Sequence, residues 1–147
     1  VLNEESIQGN EALDKYFINQ YIQLRESYVY QTIQRTYELT QIFSSNEVAK
    51  EFRESYNKED RLDNILGTGK AIVKVNSITL EKINDSHLAI ARINVVYKNQ
   101  KNEEFTRNFV VRLSYIYDPQ IKFNLSQRIE NPLGFFVTSY QKTEENL

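Results

Sequence analysis

The sequence predicts an α+β domain, with helices in the first half packed on a curved antiparallel sheet of about four strands. Three observations predict it. Apolar residues recur every three or four positions as far as Tyr56, which is a helical period. From Lys70 onward they recur every second position, which is a strand period. Gly67-Thr68-Gly69 falls between the two regimes as a breaker. Helices grouped before strands favour a helical layer on one face of an antiparallel sheet.

Residues 1–9 are polar, end at Gly9 and read as a lead-in, leaving residues 10–147 as one domain. Asn10 caps a first helix that runs to about Leu24, with Leu13, Phe17, Tyr21 and Leu24 as its apolar stripe and Tyr16 beside it. A second helix is expected from Val29 to Phe43, with Val29, Ile33 and Tyr37 on one face. Ser44 and Glu47 have capping-box spacing and open a third helix to about Tyr56 that buries Val48 and Phe52. Asp60 caps a short turn through Leu66.

In the second half Val73 and Val75 share a face, whereas Ile78 and Leu80 have the opposite parity. A strand that changes face in this way carries a bulge or a bend. Asn84-Asp85-Ser86 is a turn, and the strand His87 to Lys98 sets Ala89, Ala91, Ile93, Val95 and Tyr97 on one side. A polar loop, Asn99 to Glu103, leads to a third strand carrying Phe105, Phe109, Val111, Leu113, Tyr115 and Tyr117, interrupted at Arg107 and stopped by Asp118-Pro119. A last strand runs from Phe135 to about Gln141.

Composition narrows the function. With 147 residues, 40% of them hydrophobic and 26% charged, the chain is sized and composed for one folded core. A net charge of −2 with scattered Lys and Arg builds no positive field for nucleic acid. No Cys is present, which removes disulfides and thiolate metal sites. The 10 Tyr and 8 Phe suit either interaction surfaces or the edge of a core. The longest apolar run, Leu88-Ala89-Ile90-Ala91, is far short of the roughly 20 residues of a membrane helix. Because the chain begins at Val1, it is expected to be a fragment or processed product of a longer protein.

Reactive chemistry finds little support. His87 is the single histidine, so no His-rich metal site exists, and no nucleophile elbow accompanies it. Glu103-Glu104 and Glu144-Glu145 read as solvated pairs in a loop and a terminal tail. We assign no catalytic, cofactor-binding or metal residue. One alternative survives on shape: a cone-shaped domain could enclose a small ligand or an enzymatic site around Arg107, with Arg92 as a second cation.

Two stretches carry a resemblance. The first is Tyr21-Ile22-Gln23-Leu24-Arg25-Glu26-Ser27-Tyr28 followed by Gln34-Arg35-Thr36-Tyr37, and the second is Asn131-Pro132-Leu133-Gly134-Phe135-Phe136-Val137-Thr138-Ser139-Tyr140. Together they resemble the VirB-eight family of type IV secretion systems, from about Leu13 to Glu144, and Ser44-Ser45 stands where that family usually has a serine pair. The resemblance implies a nuclear-transport-factor-two-like (cystatin-like) fold. It implies a periplasmic domain of a single-pass inner-membrane protein, anchored by a helix upstream of Val1. It further implies a structural assembly component without enzymatic activity or cofactor, which dimerises weakly and contacts the ninth and tenth VirB components. Leu13 and Tyr16 align with the family's dimer contact, and Leu125 stands near a second contact position that is often acidic, with Glu130 closer to the turn.

The motifs also have a direct physical reading. Pro132 fixes its own φ and steers Asn131 away from the helical region. Gly134 permits backbone angles that other residues resist. Asn131, Pro132, Gly134 and Phe135 therefore form a rigid turn that aims the last strand, serving the fold, a contact, or both. Arg25, Glu26 and Tyr28 mark the end of the first helix, where Arg25 suits the helix dipole and either charge could pair with the sheet.

Overall fold

The computed structural model describes residues 10–58 and 69–146. The lead-in 1–9, the turn capped by Asp60 and the pair Gly67-Thr68 lie outside the described residues. Helix α1, Glu11–Glu26, starts where Asn10 accepts a hydrogen bond from the Leu13 amide at 2.9 Å. Its stripe buries Phe17, Ile18, Tyr21 and Ile22.

The second helix begins later than the apolar spacing suggests. Tyr28–Val29 is a short strand, β1, paired with Ala71 and Lys70. A 3-10 turn, Tyr30–Thr32, then leads into α2, Ile33–Ile42. Val29 is exposed while Tyr28 is buried. An aromatic and a β-branched residue suit this extended pair, and the neighbouring strand supplies backbone partners that a helix start would lack.

Helix α3, Asn46–Lys58, buries Val48 and Phe52 as expected, but its cap is Ser45, whose hydroxyl accepts from the Val48 amide at 3.2 Å. Ser44 is instead buried, donating to Thr40 O at 2.6 Å and lying 2.8 Å from the Tyr21 hydroxyl. It is held there because the connection doubles as an edge partner for the last strand. Val137 donates to Phe43 O, and Ser45 donates to Val137 O, both at 2.9 Å.

The sheet is antiparallel in the order β1-β2-β3-β4-β5. Its long strands are β2 Lys70–Ile83, β3 Ser86–Lys98, β4 Glu104–Tyr117 and β5 Phe135–Glu145. The parity change in β2 is real: Val75 faces Ile93, Ile78 faces Ala91, and the register slips between Val75 and Ser77. A second slip lies between Ser114 and Tyr115 against β5. Two such irregularities bend and twist the sheet. The Asn84–Asp85 turn has positive φ at both residues, 49° and 67°, the geometry of a tight two-residue hairpin.

The curl encloses one core. Ala89, Ala91, Ile93, Val95 and Tyr97 of β3, the residues Phe109 to Tyr117 of β4 in alternation, and Phe135 and Val137 of β5 face the stripe of α1. Phe17 stacks on Phe135 at 5.2 Å between ring centres and meets Tyr117 edge-on at 6.2 Å, so the interior is filled by side chains. Between β4 and β5 lies a short helix that periodicity did not suggest, α4, Leu125–Glu130. Asn124 and Gln127 form its capping box.

Candidate interaction surface

Asn131 sits at the end of α4 with φ −130° and ψ 73°, outside the helical region. Its side chain is fully buried. The amide donates to Ile42 O at 3.2 Å and to Phe135 O at 2.9 Å, and its oxygen accepts from the Phe135 amide at 3.0 Å. Gly134 has φ +64°, and a Cβ there would lie 2.0 Å from the backbone oxygen of Asp118. Asp118 in turn donates to Gly134 O at 2.8 Å. The turn thus locks the end of β4 against the start of β5, and Phe135 enters the core at 0% exposure.

Arg128, which no sequence pattern singles out, holds the same corner. Its guanidinium donates to Pro119 O at 3.3 Å, Ile121 O at 2.5 Å and Pro132 O at 3.1 Å, and lies 5.1 Å from the Phe123 ring. A planar cation with several donors satisfies carbonyls that an irregular connection would otherwise leave unmet.

The end of α1 meets the end of the Asn131–Tyr140 stretch. Arg25 lies over the Tyr140 ring at 3.9 Å and the Phe52 ring at 5.2 Å, and donates to the Tyr21 hydroxyl at 3.1 Å. Glu26 accepts from the Tyr140 hydroxyl at 2.5 Å and from Lys142 at 2.7 Å. Burial of the phenol, reinforced by the Glu26 carboxylate, pushes the Tyr140 pKa well above the ordinary tyrosine value. Tyr28 is buried two residues beyond the helix. The two sequence stretches are therefore halves of one contact.

On α1, Leu13 is half-buried against the core and Tyr16 is 61% exposed. Between them Asp14 is buried and accepts from the hydroxyls of Tyr115 and Tyr117, each at 2.7 Å. This anchors the first turns of α1 to β4. On α4, Leu125 and Ile129 stand one helical turn apart at 76% and 68% exposure.

The ligand-binding alternative loses its residues. Arg107 is exposed and makes a two-pronged ion pair with Glu144, at 3.0 and 2.7 Å. Arg92 is exposed and pairs with Glu145. Sequence periodicity misses this because β5 runs on to Glu145, so the pair read as a solvated tail lies along β4. Glu104 likewise opens β4 and pairs with Lys98 at 3.1 Å. His87 lies 5.6 Å from the Tyr115 ring. Among the described residues no group of three metal-ligating side chains occurs, and no helix is long and apolar enough to cross a membrane.

Helices filling a curled antiparallel sheet place the domain in the nuclear-transport-factor-two-like class. The family model described as VirB8 protein matches residues 1–145, and the chain belongs to the VirB8 family. The type IV secretion system protein virB8 of Brucella abortus is 27% identical over 98% of this chain, and the match takes in 60% of that protein. This chain thus spans well under two thirds of that relative. The crystal structure of a TrwG component of type IV secretion system protein from Bartonella birtlesii has 34% identity and a TM-score of 0.82, with 94% of each chain covered. TraE protein in complex with 2-chloroisonicotinic acid has 30% identity and a TM-score of 0.78, covering 92% of this chain and 97% of that one.

Proposed function

We propose that this chain is the periplasmic domain of an inner-membrane assembly component of a type IV secretion system, acting by contact and not by covalent chemistry. In this reading residues 1–9 are a lead-in after a membrane helix upstream, and residues 10–147 form the domain. The partners are a second copy of the chain and the ninth and tenth VirB components. Self-association uses Leu13 and Tyr16 of α1, and Leu125, near a second family contact position that is often acidic, departs from the family's pattern there. Asn131, Pro132, Gly134 and Phe135, with Arg25, Glu26 and Tyr28, hold these surfaces in place.

One observation carries the reading: the core is filled, while Tyr16, Leu125 and Ile129 are large apolar side chains exposed on anchored helices. Anchored, solvent-facing apolar groups suit an interface. Sedimentation velocity over a wide concentration range is the test. Tyr16→Asp with Leu125→Asp should convert a concentration-dependent dimer into a monomer with an unchanged circular dichroism spectrum. A wild-type chain that stays monomeric up to about millimolar concentration, the weak end of useful affinity, would refute self-association.

A further inference from the structure

The two edges of the sheet differ. At β5 the edge is taken where Val137 bonds to Phe43 and Ser45, and beyond it Tyr140, Lys142 and Glu144 are tied to Glu26 and Arg107. At β2 the short strand β1 pairs only with Lys70 and Ala71, and among the described residues no strand lies beside Lys74 to Ile83. Helix α1 leaves this stretch open. It begins over β4, where Asp14 holds Tyr115 and Tyr117, and reaches β2 at Val73, whose carbonyl accepts from the Gln23 side-chain amide at 3.2 Å.

The ladder decides which backbone groups point outward. Ile83 faces Ser86 across the two-residue turn, so its N–H and C=O bond inward to β3. Antiparallel pairing alternates, so Lys82, Leu80 and Ile78 turn theirs outward. Across the register slip between Val75 and Ser77 the outward set becomes odd-numbered, in keeping with the bond from Gln23 to Val73 O. Ile78 and Leu80 are also half-buried at the rim of the core, facing Ala91 and Ala89, while Ser77, Thr79 and Glu81 are exposed on the other side of the strand.

We infer that this edge pairs antiparallel with the same edge of a second copy of the chain, Ile78 of each facing Leu80 of the other. Outward residues face only outward residues, which leaves few registers. Leu80 on Leu80 sets Ile78 against Lys82. Leu80 on Lys82 brings Glu81 against Glu81, and Lys82 on Lys82 brings two ammonium groups together. Ile78 on Ile78 sets Leu80 against the bulge. With Ile78 on Leu80, aliphatic side chains meet on the core side, Thr79 meets Thr79 on the other, and Glu81 faces the Ser77 hydroxyl. Apolar and Thr–Thr pairs stabilise strand association, and like charges, which oppose it, do not meet. Residue i facing j while j faces i is the pattern of a closed two-fold contact. The bulge at one end and Lys82 at the other confine the pairing to a short stretch and keep it weak. The contact does not use Leu13 or Tyr16, so a chain engaged at both surfaces joins two neighbours.

The chain has no Cys, so a single introduced thiol can be oxidised only onto its counterpart in another copy. The two-fold axis passes between the Thr79 residues, a non-hydrogen-bonded pair with Cα atoms about 4.5 Å apart, within disulfide reach. The two Glu81 residues lie four positions out of register, about 13 Å apart at about 3.3 Å per residue, beyond that reach. Copper-catalysed air oxidation of Thr79→Cys at about 1 mM should therefore yield a covalent dimer on a non-reducing gel, at least about tenfold faster than Glu81→Cys. Both positions are exposed, and an unchanged circular dichroism spectrum is expected for each variant. Adding Tyr16→Asp and Leu125→Asp to Thr79→Cys should leave the crosslink intact. Absence of the covalent dimer, or equal rates at the two positions, overturns the inference. So does loss of the crosslink in the triple variant, which assigns it to the surface of Leu13 and Tyr16. Proposed dimerisation through that surface is read separately by sedimentation, so either proposal can fail without the other.

Discussion

Asn131→Asp isolates the corner on which β5 turns. The substitution preserves shape and leaves an acceptor for the Phe135 amide, but it replaces the group that donates to Ile42 O and Phe135 O. Two buried carbonyls then face an oxygen, at about 1–3 kcal/mol for each acceptor left without a donor. The side chain has 0% exposure, so its charge gains no compensation from water and the new carboxyl is pushed toward its protonated form. We expect a loss of about 3–5 kcal/mol at about pH 7. At about 2–4 °C per kcal/mol for a domain of this size, melting should fall by about 10 °C. The sign with pH follows from linkage. The folded-state pKa of that carboxyl lies above its unfolded value of about 3.9, so the penalty is smallest below about pH 4 and grows as pH rises through the folded value. Urea denaturation followed by circular dichroism at about pH 7 and about pH 5 should show the gap to wild type narrowing in acid. A loss under about 1 kcal/mol, or a gap that widens on acidification, would refute the reasoning.

Gly134→Ala should cost at least about 2 kcal/mol, because φ +64° is strained for alanine and the obstructing atom, Asp118 O, belongs to the backbone. Urea unfolding with a loss below about 0.5 kcal/mol would show that the corner yields. Alkaline unfolding tests the Asp14 anchor. Burial first, and then the bond to Asp14, raise the pKa of Tyr115 and Tyr117 above the ordinary value. Groups whose folded pKa exceeds the unfolded one, about 10 for tyrosine, stabilise fully below that value and lose their contribution as pH climbs past it. Tyr115→Phe with Tyr117→Phe should therefore lower stability at neutral pH and flatten its decline above about pH 10. The decline should not vanish, since Tyr21, Tyr97 and Tyr140 are raised as well. Parallel curves for variant and wild type would contradict the anchor.

What could be read from the chain was whatever local rules dictate. The Asn10 cap, the parity change after Val75 and the Asn84–Asp85 turn are each decided within a few residues, and each stands as read. The capping box of α4 was equally local, with Asn124 and Gln127 three apart, but six residues are too few to show a helical period. The misreadings share a different cause. Val29 is taken into the sheet by Lys70, Ser44 is taken into the core by Tyr21, and β5 is prolonged as far as Glu145 by its pairing with Asn108. In each case a partner distant in sequence overrides the local preference.

Charged residues show the same dependence most sharply. Asp14, which no apolar period singles out, acquires a role only when Tyr115 and Tyr117, 101 and 103 positions away, supply its donors. Arg107 reads as a cation inside a cone until Glu144 is brought beside it from a strand that looked like a tail. Arg25 and Glu26 differ only in that their partner lies within a second recognisable stretch. Tyr140, 114 positions beyond Glu26, is the residue both of them hold. Neither stretch explains its own side chains. An arginine without the ring over which it lies, or a glutamate without its phenol and Lys142, would be an ordinary helix-end charge of small energetic weight. The specificity of each stretch is a property of the contact between them, so a change in one is expected to be tolerated only with a matching change in the other.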